Sequence, residues 1–271
     1  MNSKDKINNK NEELNHNAQI FNKFINIKSD YFLQRAFDYM HKKISLEIIK
    51  YNKNLQQRLN ININNYKECS EIYSSIEIEI IPAKNAYGTF INIKKEDEEY
   101  FHIYFNNNNK EEIKRTYLNE EDKVSKINII INYQIISFNQ LFYGCTSIES
   151  INFKKFYRNN ITNMNYMFGY CSSLKELNLS NFNTNNVTNM IGMFSGCSAL
   201  KELNLNNFNT NNVTDMSHMF RYCSSLRELN LSNFNINNVT NMSCMFRGCL
   251  DELKLKIKSQ FKNFKEEAFW N

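Results

Sequence analysis

The chain has 271 residues, with 33 lysines and arginines against 28 aspartates and glutamates and a formal net charge of +5. This length is enough for one large or two modest globular units with a real core. The positive excess is mild and spread over the whole chain, unlike the concentrated basic face that phosphate binding needs, so we expect no nucleic-acid partner.

The first segment, residues 1–27, opens with a long polar stretch, and no apolar region follows a basic start. We therefore expect no secretory signal. No apolar run reaches the ~18 residues of a membrane span, so we expect no transmembrane segment. Low hydrophobicity predicts a disordered polar tail over 1–27. Together these features predict a cytoplasmic protein, with the cell surface as the alternative location.

Residues 28–65 are predicted to be helical. The run SDYFLQRAFDYM places its apolar residues on one helical face, with Ser29 or Asp30 as a cap, and ISLEIIKYNKNLQQRL follows it. The spacing of this helical pair resembles an F-box, the helical module that docks an adaptor of ubiquitin ligases. The alternative is that these helices cap the repeats that follow.

Residues 66–123 change to a period of two in IYSSIEIEIIP, GTFINIKK and EYFHIYF. Asn-rich and acidic turns separate these runs. The pattern predicts a small antiparallel β region, in which Pro82 ends the first strand, where a missing N–H is tolerated.

Residues 124–250 are dominated by a stretch that copies itself at a fixed period. Four segments of equal length, called copies below, keep the frame: 145–170, 171–196, 197–222 and 223–248. Each contains an LxxLxL run typical of a short strand, an Asn-rich turn, and an MxxMFxxC run with helical spacing. Before them, Val124, Ile127 and Ile129 repeat the LxxLxL spacing, which predicts a degenerate first copy.

The pattern LxxLxLSNFxTxNVTxMxxMFxxCSSL resembles the BspA-like class of leucine-rich repeats, found in surface proteins of bacteria and in microbial eukaryotes. One copy cannot bury both of its faces, so each must rest on the next. The predicted fold class is therefore α/β, a leucine-rich repeat solenoid of about five coils over 124–250. The N-terminal helical segment and the small antiparallel β region precede it, and a C-terminal capping helix follows.

The last segment, residues 251–271, is predicted to be that capping helix. Its apolar residues have helical spacing, namely Leu253, Ile257, Phe261, Phe264 and Ala268. Asp251 and Glu252 near its start favour a helix through the helix dipole.

The seven cysteines are an odd number, and five of them recur in the repeat frame. Without a secretory signal the thiols are expected to stay reduced, so we predict that Cys171, Cys197 and Cys223 are buried and reduced. Disulfides between neighbouring copies are the alternative if the protein is exported. No C-x-x-C motif occurs, which argues against a metal site.

The histidines give no catalytic pattern. His16, His41, His102 and His218 are isolated in the sequence, and none lies in a motif such as H-E-x-x-H. We therefore predict a protein that is not an enzyme and that has no catalytic, cofactor-binding or metal-binding residues.

The copies differ from one another mainly along the MxxMFxxC run, whereas the strand segment hardly changes. A repeat protein that recognises a particular partner usually does so with the surface that varies between repeats. The candidate partner-binding residues lie on this variable side: Tyr166, Tyr170, Ile191, Ser195, His218, Arg221, Tyr222 and Arg247.

The predicted function is a non-catalytic scaffold for protein–protein interaction. The sequence identifies neither the protein partner nor the oligomeric state. The alternatives are a surface-exposed adhesin of the BspA-like class and an F-box-like substrate adaptor of a ubiquitin ligase.

Two positions in a central copy test the assumed packing. The Phe208 ring is predicted to pack inside the stack, between Phe182 and Phe234 of the neighbouring copies. Thr210, two residues later, is predicted to face water in the Asn-rich turn.

Overall fold

A computed structural model of the chain describes residues 26–39, 42–108 and 110–270. The chain divides into two compact units, 1–71 and 72–271. Apart from residues 26 and 27, the predicted disordered tail lies outside the described residues, and so does His41.

The described part of the first unit is helical. Its helices are α1 (Asp30–Tyr39), α2 (Lys42–Ile49), α3 (Lys53–Arg58) and α4 (Ile63–Tyr73), and the unit boundary falls within α4. They enclose a small apolar core made of Leu33, Phe37, Leu46, Ile49, Leu55 and Leu59. The helices therefore bury a core within the unit, as amphipathic helices do.

Polar contacts fix the ends of these helices. The Asn52 side chain accepts a 2.9 Å hydrogen bond from the backbone N–H of Leu55 and caps α3. Arg58 at the end of α3 pairs with Asp30 at 2.6 Å and donates to the Ile27 carbonyl at 2.7 Å. These contacts tie the end of α3 to the start of α1.

The second unit contains nine strands and one helix within its described residues. The strands are β1 (Ile76–Pro82), β2 (Gly88–Thr89), β3 (Phe101–Phe105), β4 (Tyr117–Leu118), β5 (Ile127–Ile131), β6 (Ile148–Lys155), β7 (Glu176–Asn178), β8 (Glu202–Asn204) and β9 (Glu228–Asn230). The helix is α5 (Asp251–Gln260), and short 3₁₀ helices cover Lys95–Tyr100 and Glu266–Phe269.

The main sheet has five strands in the order β3-β5-β1-β6-β7. All its pairings are antiparallel except the one between β6 and β7. In β1 the period of two is visible directly, because Ile76, Ile78 and Ile80 are buried while the residues between them are not. Two smaller sheets pair β2 with β4 and β8 with β9.

The prediction of a leucine-rich repeat solenoid is wrong. That fold needs one parallel sheet that continues through all of its coils. The described residues form instead a mixed α/β structure with an open, mainly antiparallel sheet, and the parallel pairing stops between β7 and β8. β5, predicted to begin the solenoid, pairs antiparallel with β1 and β3. The repeated strands are only three residues long, and β8 pairs along its whole length with β9 but not with β7.

The MxxMFxxC runs are not helical either. They form consecutive tight turns, in which residues such as Tyr166, Gly192 and His218 have left-handed φ values of +49°, +55° and +60°. A left-handed residue interrupts the hydrogen bonds from residue i to i−4, so no helix can continue through it. Apolar spacing by itself did not reveal this interruption.

The copies nevertheless lie side by side in register. Single-residue parallel bridges join equivalent positions of successive copies, at Ser137, Asn163, Asn189, Asp215 and Asn241. One phenylalanine of each copy stacks on its equivalents, with ring centroids 5.5–5.7 Å apart, in the series Phe142, Phe168, Phe194, Phe220 and Phe246. Backbone hydrogen bonds also join the turns of successive copies, such as those from the Phe168 N–H to the Met193 carbonyl and from the Phe194 N–H to the Met219 carbonyl, both at 2.9 Å. These bonds and the ring stacking together hold the copies in place where strand pairing is short.

The predicted burial of Cys171, Cys197 and Cys223 is confirmed, since none has any exposed surface. Their thiols donate hydrogen bonds of 2.9, 3.1 and 3.1 Å to the carbonyls of phenylalanines 29 residues earlier in the chain, Phe142, Phe168 and Phe194. Burial raises the pKa of the Cys171 thiol to about 12 and that of the other two thiols well above the ordinary value. Buried neutral thiols react slowly, because the thiolate is the nucleophile.

Phe208 lies in the core as predicted, and its ring stacks on Phe182 with the centroids 6.0 Å apart. The expected ring contact with Phe234 is not found within the described residues, where Phe234 is only partly buried. The prediction for Thr210 is wrong, because Thr210 has no exposed surface. Its hydroxyl donates to the Asn235 carbonyl and accepts from the Asn235 N–H, both at 2.8 Å. In the Asn-rich turn the backbone of the next copy has no strand partner, and the threonine hydroxyl takes that place.

Replacing Thr210 by Val should lower the free energy of unfolding by about 1–3 kcal/mol, because the N–H and carbonyl of Asn235 lose their partner inside the structure. Thr210→Ser keeps the hydroxyl, so its free energy of unfolding should fall clearly less than that of Thr210→Val. Urea unfolding of both variants measures the difference. Equal stability of the two variants would show that the hydroxyl does not join the copies.

Candidate functional site

The variable side of the copies contains two positions with left-handed backbone in every copy. The first holds Tyr166, Gly192, His218 and Cys244, and the second holds Tyr170, Gly196, Tyr222 and Gly248. Their φ values lie between +49° and +76°. Glycine adopts this conformation freely, whereas other residues are strained in it by about 1–2 kcal/mol.

Tyrosine is therefore unexpected at these positions. Tyr170 and Tyr222 alternate with Gly196 and Gly248, so the fold itself accepts glycine there. Strained residues that the fold does not demand occur preferentially at functional sites. The tyrosines thus mark this side of the molecule as a candidate site.

The neighbouring glycines make room for the tyrosine rings. A Cβ atom at Gly196 would lie 2.8 Å from Cδ1 of Tyr170, and Cβ atoms at Gly192 and Gly248 would collide with the rings of Tyr166 and Tyr222. Each ring consequently lies against the backbone of the next copy. This contact restricts the ring without burying it.

We call the resulting surface the Tyr/Arg face. It consists of Tyr143, Tyr166, Tyr170, His218, Arg221, Tyr222 and Arg247. Tyr143 makes edge-on ring contacts with Tyr166 at 6.0 Å and with Tyr170 at 5.4 Å. Tyr143, Tyr170 and Tyr222 are about two-fifths exposed.

Two guanidinium groups lie over the Tyr222 ring. The Arg221 group is 4.7 Å and the Arg247 group 6.0 Å from the ring centroid, within the range of cation–π attraction. The Arg221 guanidinium also donates to the Tyr222 hydroxyl at 3.3 Å, which lowers the pKa of that hydroxyl. Within the described residues no carboxylate forms an ion pair with either arginine.

Two nitrogens of this face are buried and have no hydrogen-bond partner, Nδ1 of His218 and Nε of Arg221. Burial, and next the charge of Arg221, lowers the pKa of His218. The nearby carboxylate of Asp215 is already engaged by the Ser217 N–H at 2.8 Å and by the Asn241 side chain at 2.9 Å. The face therefore carries the positive charge of Arg221 and Arg247 and an unpaired N–H donor, the Nε of Arg221.

The structure brings six of the predicted residues into this face: Tyr166, Tyr170, His218, Arg221, Tyr222 and Arg247. Ile191 is half-buried and Ser195 is 1% exposed, so Ser195 offers no surface to a partner. Sequence reasoning missed Tyr143, which precedes the first clear copy. Its register was the available signal, since position 143 is in frame with Arg221 and Arg247 of the later copies.

A second surface is the groove along the repeated strands, with a volume of about 1250 Å³. Glutamates and asparagines line it in register, namely Glu176, Glu202, Glu228, Asn178, Asn204 and Asn230. Lys256 of α5 closes one end by pairing with Glu228 at 2.8 Å. This surface hardly varies between copies.

The described ranges contain no group of three or more His, Cys, Asp or Glu side chains that could hold a metal ion. None of the helices in these ranges combines the length and the apolar composition that crossing a membrane requires.

Comparison with known proteins gives a family match over part of the chain. No curated protein and no solved structure matches the chain. Residues 136–259 match the family described as Mycoplasma protein of unknown function, DUF285. The matched segment includes all four copies and the whole Tyr/Arg face.

Proposed function

We propose that the chain is a non-catalytic scaffold that binds another protein through the Tyr/Arg face. The observation that carries the proposal is the presence of tyrosine at left-handed positions where other copies have glycine. A residue kept in a strained conformation, exposed and not required by the fold, is explained by contact with a partner.

The composition of the face supports this role. Tyrosine and arginine are the residues that most often dominate the binding energy of protein interfaces. The rings are held against the glycines of the next copy, so they lose little conformational freedom when a partner binds. The proposal includes a relationship of the copies to the BspA-like class, which the residue pattern of the repeat supports.

The test is a double variant, Tyr170→Gly with Tyr222→Gly. Because glycine occupies the equivalent positions 196 and 248, relief of backbone strain should offset the lost ring contacts and the greater freedom of glycine in the unfolded chain, so the free energy of unfolding should stay within about 2 kcal/mol of the wild type. Affinity purification with quantitative mass spectrometry should show at least one protein that the wild-type chain retains and the variant loses.

Tyr157→Ala is the matched control, because Tyr157 is 55% exposed and lies outside the face. It should retain the same proteins as the wild type. The proposal is wrong if the double variant keeps every protein that the wild type retains.

A further inference from the structure

The charge of the Tyr/Arg face indicates the chemistry of what it binds. Resting on the function proposed above, we infer that the partner contributes an acidic segment whose carboxylates pair with Arg221 and Arg247.

Neither Arg221 nor Arg247 pairs with a carboxylate within the described residues. Asp215, which lies near His218, is engaged by Ser217 and Asn241. Arg221 and Arg247 are both half-buried, and both guanidinium groups lie over the neutral ring of Tyr222. A pair of guanidinium groups in such surroundings attracts an anion strongly, because little else neutralises their charge.

Hydrogen bonding also favours a carboxylate. The Nε of Arg221 is shielded from water and has no partner. An unpaired buried donor is unfavourable, and an acceptor supplied by a partner removes that cost when the half-buried Arg221 side chain turns toward it. A carboxylate can engage a guanidinium group with two parallel hydrogen bonds, of which Nε supplies one.

The tyrosine rings complete the match. The Tyr222 ring lies beneath both guanidinium groups, and Tyr143 and Tyr170 add exposed aromatic surface to the same face. They provide apolar contact area next to the positive charge. A segment in which Asp or Glu residues alternate with apolar residues matches both parts of the face.

The test uses peptide display against the immobilised full-length chain. Peptides enriched by the wild type should be rich in Asp and Glu, and synthetic copies with Gln and Asn in their place should bind at least about tenfold more weakly. Arg221→Gln combined with Arg247→Gln should weaken the binding of the acidic peptides by a similar factor. Lys201→Gln with Arg227→Gln removes the same charge from the repeated strands and should leave the affinity unchanged.

The other outcomes separate the two proposals. Neutral or basic peptides that are lost in the Tyr170→Gly, Tyr222→Gly variant would overturn the acidic partner and leave the binding function standing. Absence of any peptide that depends on the face would overturn both. Self-association that the two arginine substitutions abolish, without enrichment of acidic peptides, would identify a second copy of the chain as the occupant and also overturn the inference.

Discussion

Phe194→Ala should lower the free energy of unfolding by about 3–5 kcal/mol, the usual cost of removing a fully buried aromatic ring. The Phe194 ring has no exposed surface and stacks on Phe168 at 5.7 Å and on Phe220 at 5.6 Å, within 6° of parallel to both. The neighbouring rings are held by their own stacking partners, so the cavity left by Ala cannot collapse easily.

Urea unfolding with matched m-values measures this loss. Lys201→Ala, at an exposed position, is the control and should change stability by no more than about 0.5 kcal/mol. Hydrogen exchange should show lost protection first in the copies that contact Phe194, because each copy contacts only its neighbours. If Phe194→Ala is as mild as Lys201→Ala, the phenylalanine series does not form the core.

Arg158→Ala should also be strongly destabilising, by about 3 kcal/mol or more, because it combines a cavity with unsatisfied buried carbonyls. Arg158 has no exposed surface. Its guanidinium donates to the carbonyl of Asn132 at 2.7 Å, to that of Ile135, and to the Asn160 side chain at 3.1 Å. Arg158 therefore links the loop after β5, residues 132–135, to the copy 145–170.

The charge of Arg158 is retained despite its burial. Desolvation lowers the pKa of the guanidinium to about 10, which is still far above neutral. Arg158→Lys keeps the charge but cannot reach all three acceptors, so its stability should lie between those of Arg158→Ala and the wild type. Urea unfolding ranks the three proteins by stability. Hydrogen exchange should show that residues 132–135 open first in the two variants. If Arg158→Ala is as stable as the wild type, Arg158 does not hold the loop after β5 against the first copy.

Part of the candidate site could be predicted from sequence differences between the copies. The variable positions led to Tyr170, Arg221 and Tyr222 without any knowledge of the fold. They could not show that Ser195 is buried or that Tyr143 joins the face. Exposure depends on which way each turn residue points, and in tight turns no simple period sets that direction.

The alternation of Tyr and Gly at positions 170, 196, 222 and 248 was present in the sequence but needed the structure for its meaning. Glycine at two of these positions is consistent with left-handed backbone, yet tyrosine at the other two argues against it. The left-handed conformation of all four is visible only in the three-dimensional structure.

The sequence by itself determined the register of the repeat. Its fixed period aligns Phe182 with Phe208 and the cysteines with one another, and their burial follows because equivalent apolar residues of adjoining copies share one core. Tertiary structure alone decided how the backbone pairs. Leu spacing shows which face of a strand is buried, but not whether its edge meets another strand, a side chain such as Thr210, or nothing. For that reason the expected continuous parallel sheet is replaced by an open, mainly antiparallel sheet. Beyond it, backbone hydrogen bonds between turns, stacked rings and threonine hydroxyls join the copies.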